Sequence, residues 1–509
     1  MPRSLARNIV VLGGGTAGYF AALGIRRWFP DVTVTVVESS KIPIIGVGEA
    51  TTPPLVSFLH HFLGIDIHRL QREVKPTWKL GIHFDWGPPG GFDYPFLPED
   101  VASARHFDGS LARASLGAML MHEKRVPLVR TDDDRVVSAL HQVRFAYHLN
   151  NAPFVRFLAA EAARANIGHL DAEVADIELR DQPDGPAATA ILLTDGRRLE
   201  VDFVVDCTGF RSVVLGKKLG SRFTSYGDTL YCDRAVVADV PHDGTIKPYT
   251  RAESMDAGWC WNIPMVDIDH RGYVYSSQFL SQDQAVAEMR AKNPAMSEPR
   301  FVSFVSGRHE DFWLGNIVAV GNSYGFVEPL ESTALHMVII EVTRLVRLLD
   351  LDREGTEDRD RAVVNRRIGA HWDYLRWFLG VHYRFNQRSS TPFWQHCREH
   401  VNISGFEDVL ADFRAHGSLS ERRAPVSPDS IFHAGGIDTM LIGQEVDAPS
   451  SSSLTREQWE TRSAERKRFV DHALDHRAAL EWLAQHPEAW DAFVGPDSWC
   501  AEYGRKMLE

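Results

Sequence analysis

Cysteine is scarce in this chain. The 509 residues hold five, Cys207, Cys232, Cys260, Cys397 and Cys500, and no two are spaced C-x-x-C. An odd count without paired spacing argues against a disulfide framework and a zinc site, so reduced thiols in a cytoplasmic protein are expected. No apolar run is long enough to cross a bilayer. The opening Met-Pro-Arg-Ser-Leu-Ala-Arg-Asn has no separate apolar region or cleavage site, so no signal peptide is expected. A basic stripe is also missing, and the net charge is −13, which disfavours nucleic acid and anionic membrane as partners. No internal repeat is visible. What remains, 44% hydrophobic and 24% charged residues, suits a folded chain with a sizeable core.

The chain is organised around Ile9-Val10-Val11-Leu12-Gly13-Gly14-Gly15-Thr16-Ala17-Gly18. An apolar strand runs into a glycine-rich turn, and a helix from Tyr19 to about Trp28 follows. A second apolar strand, Val32 to Val37, ends at Glu38. Gly13, Gly15 and Gly18 form G-x-G-x-x-G. Their roles are a tight turn, close approach of backbone to a pyrophosphate, and packing of helix on strand. The helix N-terminus at Thr16 and Ala17 offers free N–H groups to that pyrophosphate. Glu38 is placed to accept from a ribose hydroxyl. The triplet alone does not separate FAD from NAD.

Further along, Ile42 to Thr52 includes Gly46-Val47-Gly48-Glu49-Ala50-Thr51, a loop able to lie flat on a planar ligand. Pro76 to Trp86 alternates like a strand and carries Lys79, which on this segment alone reads as a solvated edge residue. Gly87 to Asp100 reads as a loop bearing Phe92, Tyr94 and Phe96. Phe203-Val204-Val205-Asp206 is an apolar strand ending in an acid before a Gly turn, as in a sheet that passes a cofactor. Residues 220–310 read as β-rich and contain Gly258-Trp259-Cys260-Trp261-Asn262-Ile263-Pro264, whose two tryptophans share one strand face. They are core packing or a rigid aromatic wall.

Asn316 to Val320 is another apolar strand that meets a turn at Gly321, followed by Glu328-Pro329-Leu330-Glu331-Ser332-Thr333-Ala334 and a helical pattern from Leu335. Ser332 or Thr333 would cap that helix. The N–H groups of Thr333 and Ala334 would then be among its unpaired donors, able to hold a halide as readily as a phosphate. From about Leu348 helical periodicity and tryptophans dominate, residues 415–453 read as a loop or lid, and Thr455-Arg456-Glu457-Gln458 is a capping box.

These motifs together resemble the flavin-dependent halogenases of the tryptophan/indole type, over nearly the whole length. The marks are Gly13-x-Gly15-x-x-Gly18, Gly46-Val47-Gly48-Glu49-Ala50-Thr51, Lys79, Trp259-x-Trp261-x-Ile263-Pro264 and Glu328-Pro329-Leu330-Glu331-Ser332-Thr333. The resemblance implies a mixed α/β fold. A Rossmann-like FAD-binding module of the aromatic-hydroxylase type over residues 1–347, including the β-rich segment 220–310, would carry a mainly helical substrate module over residues 348–509. It implies that a separate NAD(P)H-dependent flavin reductase supplies FADH2. Oxygen adds to give a flavin C4a-hydroperoxide, and bound halide attacks it to make hypohalous acid. That oxidant travels through an internal tunnel to an indole-type aromatic. Lys79 then positions or captures the electrophile, Glu331 accepts the ring proton, and Thr333 and Ala334 bind halide. Ala334 stands where the family often has Gly, a change that keeps the backbone N–H.

By the same resemblance, Gly13, Gly15, Thr16, Ala17, Gly18, Glu38, Gly48, Glu49, Ala50, Asp206 and Gly321 hold the cofactor. Tyr94, Phe96, Trp259, Trp261 and Ser332 line the substrate side, with no metal. One departure stands out. Ile437 and Asp438 occupy the place of a tyrosine pair that holds the amino-acid backbone in tryptophan-specific members. A more open site for free indole or small indole derivatives is expected. The alternatives are an FAD-dependent aromatic monooxygenase, which needs no halide, and a flavin-binding protein without chemistry.

Overall fold

The computed structural model describes residues 7–42, 48–141, 143–182, 185–242, 244–354, 358–427 and 430–507. The first strand, Asn8–Leu12, is flanked on both sides by parallel neighbours, Thr33–Glu38 and Phe203–Asp206. The full sheet has six strands. Its order is Gly168–Asp171, Thr33–Glu38, Asn8–Leu12, Phe203–Asp206, Ile317–Ala319 and Trp313–Leu314. Only the last pair is antiparallel. The chain leaves Asn8–Leu12 in one direction and returns on the other side, so the crevice beyond its carboxyl end is the place where this topology binds ligands. The helix after it ends at Trp28 as the apolar pattern suggests and begins at Thr16, three residues before the expected start at Tyr19.

A second sheet has seven strands, in the order Arg300–Ser303, Arg234–Pro241, Ile268–Tyr275, Gly258–Pro264, Thr250–Met255, Gly81–Asp85 and Phe92–Pro95. Neighbours are antiparallel except for Thr250–Met255 beside Gly81–Asp85. Phe84, Ala252, Trp261 and Gly272 are register partners across four strands and so share one face. Trp259, two residues from Trp261, shares it too. Gly272 is required here. A Cβ at that position would lie 1.9 Å from the Trp261 ring, so the indole rests flat on a bare backbone.

Helices complete the molecule. Ala334–Glu354 runs back across the first sheet beside the first helix, and Asp358–Phe385 lies after it. The capping box at Thr455 and Gln458 opens helix Arg456–Asp471, as its spacing indicates. All five cysteines are unpaired. Among the described residues no helix is long and apolar enough to cross a membrane, and no cluster of His, Cys, Asp or Glu could hold a metal.

Three local expectations need correction. Gly87 to Asp100 is not all loop: Phe92–Pro95 is a buried strand, and its backbone groups pair with Gly81–Phe84. Pro95 is tolerated because this strand is the sheet's edge. Residues 415–453 contain a buried helix, Ala434–Gly443. Its glycines hid it from a propensity reading, yet they are what let it lie close. A Cβ on Gly436 would meet the Tyr94 hydroxyl at 2.4 Å, and one on Gly443 the Phe92 ring at 2.4 Å. Within the β-rich segment, Gln282–Lys292 is a helix with its own capping box from Ser281 and Gln284.

Candidate active site

The turns beyond three parallel strands converge on one cavity of about 520 Å³. Gly13 to Ala17 follow the first strand, Cys207 to Arg211 follow the second, and Val320 to Asn322 follow the third. Gly13 has φ +113°, and a Cβ there would strike the Cys207 carbonyl oxygen at 2.3 Å. A Cβ on Gly18 would lie 1.9 Å from the Gly13 carbonyl oxygen, so this glycine packs helix on strand. Gly15 has nothing within 4 Å of the same position, leaving the backbone open to a phosphate. Glu38 lies on the cavity wall, and it accepts from the Tyr19 hydroxyl at 3.1 Å and contacts His169 Nε2 at 2.7 Å. Glu49 also faces the cavity, and burial pushes its carboxyl up to about 7. Trp261, Phe304, Phe326, Pro329, Ala334 and Leu335 supply apolar walls. A glycine cradle at one end and an aromatic-rich chamber at the other fit the pyrophosphate and the ring system of a flavin nucleotide.

A second cluster lies on the same face of the seven-stranded sheet. Lys79 ends strand Thr77–Lys79 and is 0% exposed. Its Nζ donates to Ser332 Oγ at 2.6 Å and stands 5.3 Å from the centre of the Phe96 ring. Burial pulls the amine down to about 7, while the nearby Glu331 carboxylate resists that fall. Ser332 has φ +58°, a left-handed turn that sets its hydroxyl between the lysine and the start of helix Ala334–Glu354. Glu331 is buried, and its Oε1 lies 2.8 Å from His382 Nε2, at ion-pair distance but out of line for a hydrogen bond. The His382 ring packs on Phe84 at 4.9 Å and on Trp86 at 5.7 Å.

The two places are held apart by the sheet itself. Phe84, against His382, and Trp261, on the cavity wall, are separated by one residue, Ala252. Two strand spacings make this about 10 Å. Trp259 stands beside Trp261 on the same strand face, with ring centres 6.0 Å apart.

The sequence matches the tryptophan halogenase family over residues 8–459. The chain belongs to that family. It is 33% identical over 450 residues to the tryptophan 7-halogenase KtzQ of Kutzneria sp. (strain 744), covering 80% of this chain and 82% of the relative. Among solved structures it is similar to MibH, a lathipeptide tryptophan 5-halogenase, with 42% identity and a TM-score of 0.93, covering 99% of this chain and 98% of that one. It is also similar to BrvH, a flavin-dependent halogenase from Brevundimonas sp. BAL3, with 31% identity and a TM-score of 0.83 over 95% and 100% of the two chains. This protein is therefore a flavin-dependent halogenase with the mixed α/β fold of that group.

The halogenase brings Lys79, Ser332, Glu331 and Phe96 together, and the solvated-edge reading of Lys79 is overturned: the strand is buried on both faces. Tyr94 is buried under helix Ala434–Gly443, edge-on to Phe84 at 6.1 Å. Gly13, Gly15, Thr16, Ala17, Glu38, Glu49, Gly321 and Ala334 border the cavity. Asp206 does not. Its carboxylate is spent on the following turn, accepting from Thr208 N and Oγ1 and from Val214 and Leu215 N. Gly48 packs against His270 instead, where a Cβ would meet the ring at 2.6 Å, and Ala50 pairs with His148 in a short strand. Thr333 is buried beside Ala334 rather than on the cavity lining, and its hydroxyl has no hydrogen-bond partner. Gly46 and Val47 lie outside the described residues.

Three contacts around the site escaped the sequence. His382 and Tyr383 sit in the last turn of helix Asp358–Phe385 with no local motif, more than 50 residues from the acids they touch. Glu341 is the third. It accepts from Gly321 N at 2.6 Å and from Trp372 Nε1 at 3.0 Å, and burial pushes its carboxyl up to about 8. The only available signal was a lone acid on the apolar face of the helix Leu335-Val338-Val342-Leu345.

Proposed function

We propose that the halogenase takes FADH2 from a separate NAD(P)H-dependent flavin reductase, uses O2 to oxidise bromide or chloride, and installs the halogen on an indole-type aromatic by electrophilic substitution. The observation that carries this reading is the position of Lys79: a dehydrated amine beside Glu331 and Ser332, all three outside the residues that line the flavin cavity. An oxygen transferred directly from flavin would need no such separate station.

Reduced flavin bound in the cavity would give two electrons to O2, and halide would give the other two, leaving hypohalous acid and water. The chain's own groups do the rest. The N-terminus of helix Ala334–Glu354 opens on the cavity at Ala334, and its unpaired N–H groups, with Thr333, hold the halide there. Trp259 and Trp261 keep the aromatic substrate away from the flavin. Lys79 donates to the hypohalous oxygen and sharpens the halogen as an electrophile. Glu331 takes the proton that the ring loses. Phe96 and Tyr94 flank the ring. In this reading residues 1–347 carry the oxidant-making module and residues 348–509 the module covering the substrate.

The substrate is read as the indole ring rather than a tryptophan zwitterion. Asp438 cannot grip an ammonium group because four donors, from Ser418, Leu419 and Ser420, already occupy its carboxylate, and Ile437 is buried. The test supplies the protein with FAD, a flavin reductase, NADH, either halide, and in parallel indole, free tryptophan or a tryptophan-containing peptide. A halogen isotope pattern on indole or peptide, with little on tryptophan, is expected. Hydroxylated product without halide would replace this reading with a monooxygenase.

A further inference from the structure

The acid three residues before Glu331 has no role so far. Glu328 is 0% exposed, and among the described residues no cation is paired with its carboxyl. One oxygen, Oε2, accepts from Trp259 Nε1 at 2.8 Å and from the Tyr383 hydroxyl at 2.5 Å. The other, Oε1, makes no hydrogen bond of ordinary geometry, and the Cys232 thiol lies close to the carboxyl and to the Tyr383 hydroxyl. An acid buried in this way is costly, and a leucine of similar volume would suit packing better. What the acid adds is direction. It fixes the plane of one indole through that indole's only donor.

The indole it fixes belongs to the wall. Trp261 has no hydrogen-bond partner for its own N–H, and it is held by the bare backbone of Gly272 and by its contact with Trp259. Of the two tryptophans, only Trp259 is anchored by a hydrogen bond, and Glu328 is the anchor. Tyr383 follows His382 on helix Asp358–Phe385, so one helical turn meets both acids of the loop, Glu328 through Tyr383 and Glu331 through His382. The Tyr383 ring is itself stacked on Trp394 at 5.5 Å, which keeps its hydroxyl in place.

We propose that Glu328 and Tyr383 are positioning residues for the aromatic wall: they hold Trp259, and through it Trp261, in the orientation that directs oxidant from the flavin cavity to Lys79. The inference rests on the proposed division between oxidant formation and halogen transfer. Neither residue exchanges a proton with substrate in this role. Their loss lets oxidant be spent elsewhere while flavin oxidation continues.

The test uses Glu328→Gln, Glu328→Leu and Tyr383→Phe in the full chain. The first readout is halogenated product per FADH2 oxidised. The second needs no turnover: the indole N–H resonance of Trp259 in protein labelled at tryptophan nitrogen, assigned with Trp259→Phe. Glutamine keeps an acceptor for both donors, so Glu328→Gln stays near wild type in both readouts. Glu328→Leu and Tyr383→Phe lower the product yield per flavin by about tenfold, the scale of one lost hydrogen bond to a buried carboxyl, at an unchanged rate of flavin oxidation. Both also shift the Trp259 resonance. Glu328→Gln as impaired as Glu328→Leu would point to acid–base chemistry and overturn the proposal, as would an unmoved resonance in Glu328→Leu. If wild type halogenates nothing, the function assigned above fails, and the resonance still decides whether Glu328 and Tyr383 hold the indole.

Discussion

His382 Nε2 stands 2.8 Å from Glu331 Oε1, inside a shell of Phe84, Trp86 and Phe378 that admits no solvent to either group. A carboxylate in such surroundings needs a partner to stay ionised. His382 Nε2 is a group at ion-pair distance from Glu331. His382→Phe is expected to lower halogenation by about tenfold to a hundredfold, with flavin oxidation intact. Product and NADH consumption measured together decide this; equal losses in both would mean the histidine only supports the fold.

Glu331→Gln removes the proposed base and leaves the shape. A general base contributes about 10²- to 10⁴-fold, so product formation should fall by that much. Bromide and chloride should be affected alike, because the base acts after the halogen has been delivered. A glutamine variant that halogenates normally would remove Glu331 from the mechanism.

Lys79 gives a pH signature. Its amine is pulled down to about 7 by burial. If its charged form donates to the hypohalous oxygen, product per flavin should fall as pH rises through about 7. A yield that climbs through the same range would assign the neutral amine as the acting form. The stability sign is opposite. The unfolded chain holds this proton up to its ordinary value of 10.5, so between about 7 and 10.5 unfolding takes up a proton and Lys79 favours the fold as pH rises. Lys79→Met should flatten that part of the melting-temperature profile.

Glu341 predicts a fall in stability with pH. Burial raises its carboxyl from 4.5 to about 8, so the folded protein keeps a proton that the unfolded chain releases. Its stabilising share is full below 4.5 and is lost as pH rises toward 8. Glu341→Gln should weaken this slope. Glu341→Leu leaves Gly321 N–H and Trp372 Nε1–H unpaired and should cost about 2–4 kcal/mol. Thermal melts from pH 5 to 8 report both.

Gly272→Ala tests the wall from its back. The added methyl would sit 1.9 Å from the Trp261 indole, which must then tilt into the flavin cavity. Weaker FAD binding by calorimetry is expected, with Lys79 and Glu331 untouched. Unchanged affinity would show that Trp261 does not bound the flavin.

The dinucleotide crevice was legible in the sequence because it is local: strand, glycines and acid fall within Ile9 to Glu38. Lys79 was legible only through its family setting. As a strand residue beside Trp78 and Leu80 it reads as exposed, and burial comes from elements far along the chain, with His476 stacked on Trp78 and Ser332 bound to the amine. Asp206 misled for the converse reason. A strand-ending acid in a nucleotide sheet points toward cofactor, but four nearby backbone and hydroxyl donors captured it first. Helix Ala434–Gly443 was hidden by the glycines that allow its close contact with Tyr94 and Phe92.

Helix Asp358–Phe385 touches the crevice side through Trp372 and Glu341, the tryptophans through Tyr383 and Glu328, and the proposed proton acceptor Glu331 through His382. A single rod thus braces every station along the proposed route of the oxidant. Heating should not leave a form that still retains nucleotide but has lost the far end, or the reverse. Inactivation and cofactor release are expected to share one midpoint, as in a building whose floors hang from the same column.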